Sequence, residues 1–222
     1  MTEETSGYWL EDQSVLSKLK ETFAPDGAAE REHNARPDSA GFGLIHYSLV
    51  TNLRPEKVLV IGSRHGYVPS ILALALKANA SGTIDFVDAN YSDVKDGEQI
   101  AFGGVENWHG DAAEKFAGFG LRDVINVHIR RSSEFFANCD GKYGYIYLDG
   151  NHSYEGCRYD FEHSVAIAER GALIVLHDVA VVQPGFGVNR LFAELEENLY
   201  NKLLIPAWPG LGIIQRKVAA AS

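Results

Sequence analysis

Five short apolar runs, rich in β-branched and aromatic residues and separated by segments of helical spacing, constrain this chain's fold more than any other feature. They are Lys57-Val58-Leu59-Val60-Ile61, residues 83–87, residues 124–129, the run ending in Tyr147-Leu148-Asp149, and Gly171-Ala172-Leu173-Ile174-Val175-Leu176. Between them the spacing predicts helices over 68–78, in a region up to Phe119, over 133–138 and over 153–169, with a short helix over 43–53 before the first strand. Pro69 stands in the first turn of the helix at 68–78, where its missing N–H is harmless. Alternation of this kind implies parallel strands joined by crossover helices, an α/β sheet that binds ligands where its strands end.

The two ends of the chain read differently. Trp9, Val15, Leu16, Leu19 and Phe23 predict a leading helix over 8–23, and Pro25, Gly27, Pro37 and Gly41 predict a mobile loop over 24–41. After Gly187, residues 188–199 have amphipathic helical spacing, and residues 203–206 and 212–215 flank Trp208-Pro209-Gly210 as a closing strand pair. An Ala-rich tail follows at Ala219. A chain of 222 residues is long enough for one core, so residues 1–40 are taken as a helix and loop of the same domain as 41–222.

Charge and cysteine content narrow the setting. A net charge of −10 argues against nucleic acid or an anionic membrane as partner, because either needs clustered cations, and the densest basic spots are only Arg130-Arg131 and Lys18 to Lys20. Cys139 and Cys157 form no CxxC pair, which suits a reducing cytoplasm. The start, Met1 to Thr5, is acidic without an apolar stretch, and no run approaches the roughly 18 residues that span a bilayer.

Chemistry is expected at the strand ends. Asp149 closes one strand and is followed at His152 by an imidazole, while His177-Asp178 closes another, so four polar groups can converge on one crevice. Each has a plainer role as a hydrogen-bonded residue, and Ser153 can simply cap the next helix. Two carboxylates brought together repel unless a cation, proton or donor intervenes, and oxygen ligands of this kind suit magnesium, manganese or calcium better than zinc. The loop Gly62-Ser63-Arg64-His65-Gly66-Tyr67 lets backbone approach a ligand at a helix N-terminus, or is no more than a tight turn. Asp88 ends the next strand, where a carboxylate can accept both hydroxyls of a ribose or serve as a turn residue. Ser132 and Ser133 cap the following helix or line an adenine pocket.

These motifs together resemble class I S-adenosylmethionine-dependent methyltransferases, in the branch of catechol, caffeoyl-coenzyme A and macrolide-sugar O-methyltransferases. The resemblance covers about residues 41–216. It is carried by Val58 to Tyr67, Asp88, Asp149-Gly150-Asn151-His152-Ser153-Tyr154-Glu155, Leu176-His177-Asp178, and Gly187-Val188. It implies a Rossmann-like, open, mostly parallel seven-stranded sheet with helices on both faces and an antiparallel last strand. It further implies that Gly62, Ser63, Gly66 and Tyr67 line the methionine and ribose side, Asp88 holds the ribose, Ser132 lies by the adenine, and Asp149 sits near cofactor and metal.

By the same likeness His152 is the general base, and Asp149, His177 and Asp178 are the ligands of a divalent cation such as Mg2+. The acceptor would be a small hydroxylated molecule, walled by residues 24–41 and 179–187 with Phe42, Gln183 and Phe186. Two departures stand out: Val60 where relatives often carry an acidic residue, and His177 in place of the first member of an acidic pair. A nicotinamide oxidoreductase remains a rival, although the loop lacks GxGxxG spacing and the Tyr91 to Lys95 pair is badly placed. So do a metal-dependent hydrolase and a catalytically inactive S-adenosylmethionine-binding protein. Oligomeric state stays open, since the helix carrying Trp9 can pack on its own domain or on a second copy in a homo-oligomer.

Overall fold

The computed structural model describes residues 12–90, 94–95, 98–99 and 108–217. Trp9, Tyr91 and the tail at Ala219, named above, lie outside them. The elements are α1 (Gln13–Phe23), α2 (Ala28–His33), α3 (Phe42–Leu53), β1 (Lys57–Ile61), α4 (Tyr67–Asn79), β2 (Thr83–Asp88), a two-stranded hairpin of β3 (Val94–Lys95) and β4 (Glu98–Gln99), β5 (Ile125–Ile129), α5 (Ser132–Phe136), β6 (Tyr143–Leu148), α6 (Tyr154–Ile167), β7 (Ala168–His177), α7 (Val188–Glu194), β8 (Tyr200–Ile205) and β9 (Leu211–Arg216).

Seven strands form one sheet in the order β5-β2-β1-β6-β7-β9-β8. The five predicted runs pair in parallel, and β9 lies antiparallel between β7 and β8. Burial follows the two-residue period of a pleated strand. Val58 and Val60 of β1 enter a core with Leu16, Phe23, Ile71 and Trp108, whereas Leu59 and Ile61 enter the opposite core with Phe135, Phe161 and Leu176. Because both faces are covered, the inner strands read as continuous apolar runs. Among the described residues no helix is long and apolar enough to cross a membrane.

Register decides where the site falls. Ile61 pairs with Val87 and with Leu148, and Leu148 pairs with Leu176. The residues immediately following, Gly62, Asp88, Asp149 and His177, therefore form a row along one edge of the sheet. Gly62 is the tight point of that row. Its φ is +72°, and a Cβ built there would stand 2.3 Å from the Asp149 carbonyl oxygen, so only glycine lets the chain turn beside β6.

Three expectations need correction. Residues 24–41 are not a bare loop: Pro25–Gly27 makes a single 3-10 turn and α2 follows, with Ala28, Ala29 and His33 buried. The segment is tied back to α1 by the Lys20 ammonium, which donates to the Arg36 carbonyl. The helix expected over 153–169 stops at Ile167 and the strand begins at once with Ala168. The amphipathic stretch from 188 is helical only to Glu194, beyond which the chain turns into β8. Leu16, Leu19 and Phe23 of α1 share the core under α4, so the N-terminal segment is integral to the packing.

Candidate active site

A cavity of about 920 Å3 opens along that row of strand ends. Gly62, Ser63, Asp88 and Ser132 line one part, and Asp149, His152, His177 and Asp178 another. Gly66 and Tyr67 do not line it. Tyr67 is buried, its hydroxyl donates to the Ala40 carbonyl at 2.9 Å, and its ring stacks on His33. Gly66, at φ +94°, leaves room for Trp108, whose ring would stand 2.8 Å from a Cβ at that position.

At the β2 end, Asp88 Oδ1 accepts the Asn90 amide at 2.7 Å. Burial pushes its carboxyl up to about 6, against the lowering effect of the Asn90 and Ser63 amides. Next to it Ser63 Oγ is buried without a hydrogen-bond partner. A half-buried acid and an orphan hydroxyl on a cavity wall mark places where a ligand's donors and acceptors would be accepted.

The other part is a tight four-residue network. His152 Nε2 lies 3.1 Å from Asp149 Oδ1 and 3.1 Å from Asp178 Oδ2. His177 Nε2 donates to the Glu32 backbone carbonyl at 2.7 Å, which turns Nδ1 towards the acids. That nitrogen sits 3.2 Å from Asp149 Oδ1 and 3.1 Å from Asp178 Oδ1, between the two acceptors rather than in line with either. Tyr147 donates to Asp149 Oδ2 at 3.0 Å.

Burial opposes charge in both partners, but mutual attraction prevails. The His177 charge, with the hydrogen bond from His152, holds the Asp149 carboxyl far below the usual range. The carboxylates of Asp149 and Asp178 in turn raise the His177 imidazole well above its ordinary value. His177 is thus a buried cation between two anions. The His152 ring stacks on Phe186, 5.0 Å between centroids and 10° between planes, which fixes its orientation.

Of the walls expected for an acceptor, Arg31 and Glu32 from α2 and Val181, Gln183 and Phe186 after β7 line the cavity. Phe42 is instead buried, edge-on to His177. Trp208 and Pro209 add a wall from the β8–β9 turn. Sequence reasoning missed Glu32 and Asp160. Asp160 carried a usable signal, an acid on the inward face of α6 beside Cys157, Phe161 and Ser164.

Residues 59–179, from β1 to just past β7, match the family described as Methyltransferase domain. The chain belongs to that family. The O-methyltransferase TomG from Streptomyces achromogenes, solved in complex with SAM, superposes with a TM-score of 0.63 at 20% identity, covering 91% of this chain and 89% of that one. The O-methyltransferase from Bacillus cereus, in complex with SAH, superposes with a TM-score of 0.59 at 17% identity, covering 94% and 90%. The curated protein y4gI of Sinorhizobium fredii is 24% identical over 178 residues, 75% of this chain and 18% of that protein. This chain therefore spans under a fifth of the curated relative's length. At these identities the solved structures show the fold, the doubly covered sheet of a methyltransferase domain, and the row Gly62, Asp88, Asp149, His177 is the part of that domain facing its cavity.

Proposed function

We propose that this methyltransferase moves the methyl group of S-adenosylmethionine to a hydroxyl of a small molecule, with His152 as general base. The observation that carries this reading is one continuous cavity joining a half-buried ribose-type acceptor, Asp88, to an imidazole set between two carboxylates. The residues fit the donor. Gly62 leaves a cradle that any Cβ would fill, Ser63 Oγ awaits a partner, and Asp88 can accept both ribose hydroxyls. Bound there, the donor would supply a sulfonium-activated methyl group.

The chain's own residues do the rest. Asp149 and Asp178 hold His152 by accepting from Nε2–H, so the proton of the acceptor hydroxyl is taken at the other ring nitrogen, Nδ1, and the two carboxylates stabilise the imidazolium that forms. Phe186 keeps the ring from turning and shields it from water. Val181, Gln183 and Trp208 border the acceptor, a small hydroxylated molecule, and alignment of that hydroxyl with the methyl group provides much of the rate. The domain so assigned is 41–222, and of residues 1–40 the described part, from Asp12 onwards, packs on it through α1 and α2.

A divalent cation fits this site poorly. Ligand atoms of Asp149, His152 and Asp178 do lie within 4.8 Å of one another. Every carboxylate oxygen among them, however, already has a nitrogen or hydroxyl within 3.2 Å, and the His177 cation borders both acids. A hard dication would have to displace His152 and sit against that positive charge. No step of the reaction is routed through a metal.

His152→Ala tests the base. Titration calorimetry should give S-adenosylhomocysteine affinity close to wild type, while turnover falls on the order of 100- to 10,000-fold. Equal losses in both would reject His152 as base.

A further inference from the structure

Of the nine large apolar side chains exposed among the described residues, four stand within one short segment: Leu199, Leu203, Leu204 and Trp208, at 49%, 58%, 47% and 60%. That segment is β8, which forms an edge of the sheet, with the residues flanking it. An apolar edge strand invites pairing with another chain, and proteins that avoid this place charges along it. Here that protection is missing. The single charge of β8, the Lys202 ammonium, is turned back to the carbonyls of Phe192 and Leu195 at 3.2 and 2.7 Å. The strand holds no acid although the chain carries a net charge of −10, so an equally anionic second copy can approach this edge without acid facing acid.

The phase of the ladder decides which backbone groups are on offer. The Lys217 amide donates to the Leu199 carbonyl at 2.8 Å, and with the β8–β9 register this directs the N–H and C=O of Leu199, Asn201, Leu203 and Ile205 to β9. Those of Lys202 and Leu204 point outwards. Tyr200 also points outwards, but its N–H already donates to the Glu196 carbonyl, and Pro206 has no N–H. Antiparallel pairing with a second copy about Lys202 would set like charges opposite each other and leave the Leu204 carbonyl without a donor. Pairing about Leu204 would face Lys202 with Pro206, which cannot donate. Pairing about Leu203 sets Lys202 of each copy against Leu204 of the other, and every outward N–H and C=O of these two residues is bonded.

We propose that two copies of this chain join edge to edge by antiparallel pairing of β8 about Leu203, which makes one sheet continuous through both. Leu203 then meets its counterpart in a close, non-hydrogen-bonded pair. Leu199 of each copy runs towards the turn carrying Trp208 of the other, so the exposed apolar side chains cover one another. Trp208 also walls the cavity, and the pairing therefore borders the candidate active site.

Sedimentation velocity of the full chain at about 100 μM should give a particle of twice the 24.4 kDa chain mass. Leu203→Lys, at a position exposed in the single chain, should sediment as a monomer with the circular dichroism of wild type. Leu203→Cys reads the register. Cα atoms of such a pair lie about 4.5 Å apart, within disulfide reach, so mild oxidation should cross-link this variant between copies. Asn201→Cys, whose counterpart is displaced about 13 Å along the strand, should stay uncross-linked. A wild-type chain that sediments as a monomer overturns the proposal, whether the edge stays bare or serves a strand of a different protein, and this result needs no variant. So does a dimer that Leu203→Lys leaves intact, or one in which Asn201→Cys cross-links as readily as Leu203→Cys.

Discussion

Replacing His177 with Gln removes one charge from a nearly closed site and retains a side chain of similar reach. The His177 side chain is 4% exposed, and Asp149 and Asp178 are 14% and 12%, so the carboxylates left behind cannot be rescued by bulk water. Breaking a buried ion pair by removing one partner costs about 3–5 kcal/mol. At about 2–4 °C per kcal/mol for a domain of this size, the melting temperature should drop by roughly 6–20 °C.

The pH dependence has a definite sign. His177 is raised in the folded state, so its contribution is complete below the unfolded imidazole value near 6.5 and is lost as pH rises through the folded value. Asp149 is depressed, so its contribution is present above about 3.9 and is lost as pH falls towards the folded value. The gap between wild type and His177→Gln should therefore be widest between about pH 4 and 6.5, and should narrow towards pH 3 as the carboxylates of the variant take up protons. Thermal denaturation followed by circular dichroism at pH 5.5 and pH 3 measures both. A gap under about 2 °C at pH 5.5, or one that stays constant down to pH 3, would refute the view of His177 as the balancing charge.

The same reasoning predicts that exhaustive dialysis against a chelator leaves methyl transfer unchanged and that Mg2+ titration gives no binding heat; restoration of lost activity by Mg2+ would contradict it. Gly62→Ala adds to the strain of φ +72° a Cβ 2.3 Å from the Asp149 carbonyl oxygen, and should cost more than about 2 kcal/mol. Gly171→Ala, at φ +84° with nothing within 4 Å, is the control and should cost about 1 kcal/mol. Equal melting temperatures for the two would argue against the clash. Asp88→Asn should separate stability from binding. A carboxyl raised from 3.8 to about 6 loses about 3 kcal/mol of folding stability as pH rises through that interval. At pH 8 the ligand-free variant should therefore melt higher than wild type while binding S-adenosylhomocysteine more weakly, and a lower melting temperature would count against the burial argument.

What could be read from the sequence follows from how each feature is encoded. Strands buried on both faces appear as unbroken apolar runs, so β1, β6 and β7 were legible, and with them the strand ends where Gly62, Asp149 and His177 stand. The segment 24–41 was not legible because its buried residues are Ala24, Ala28, Ala29, Ala35 and Ala40, with His33, too small or too polar to stand out as a periodic apolar face. Its turns also rest on Asp26 and Asn34 at positive φ, +57° and +49°, whose polar side chains read as loop. Tyr67 was expected at the cofactor, but it begins α4 with its ring directed into the core, and a residue's place beside a glycine loop does not reveal which way its side chain turns.

The unread segment turns out to govern the site. Glu32 of α2 uses its backbone carbonyl to accept His177 Nε2–H, and so forces the other ring nitrogen towards Asp149 and Asp178. Its side chain meanwhile pairs at 2.5 Å with Arg64 inside the loop between Gly62 and Gly66. One residue thereby links the backbone that would cradle the methyl donor to the imidazole that balances Asp149 and Asp178. A histidine at the end of β7 is informative only together with α2: without a carbonyl on Nε2 the ring could turn over or lose its proton. The imidazole at the end of β7 and the packed segment that carries α2 are thus coupled through one hydrogen bond.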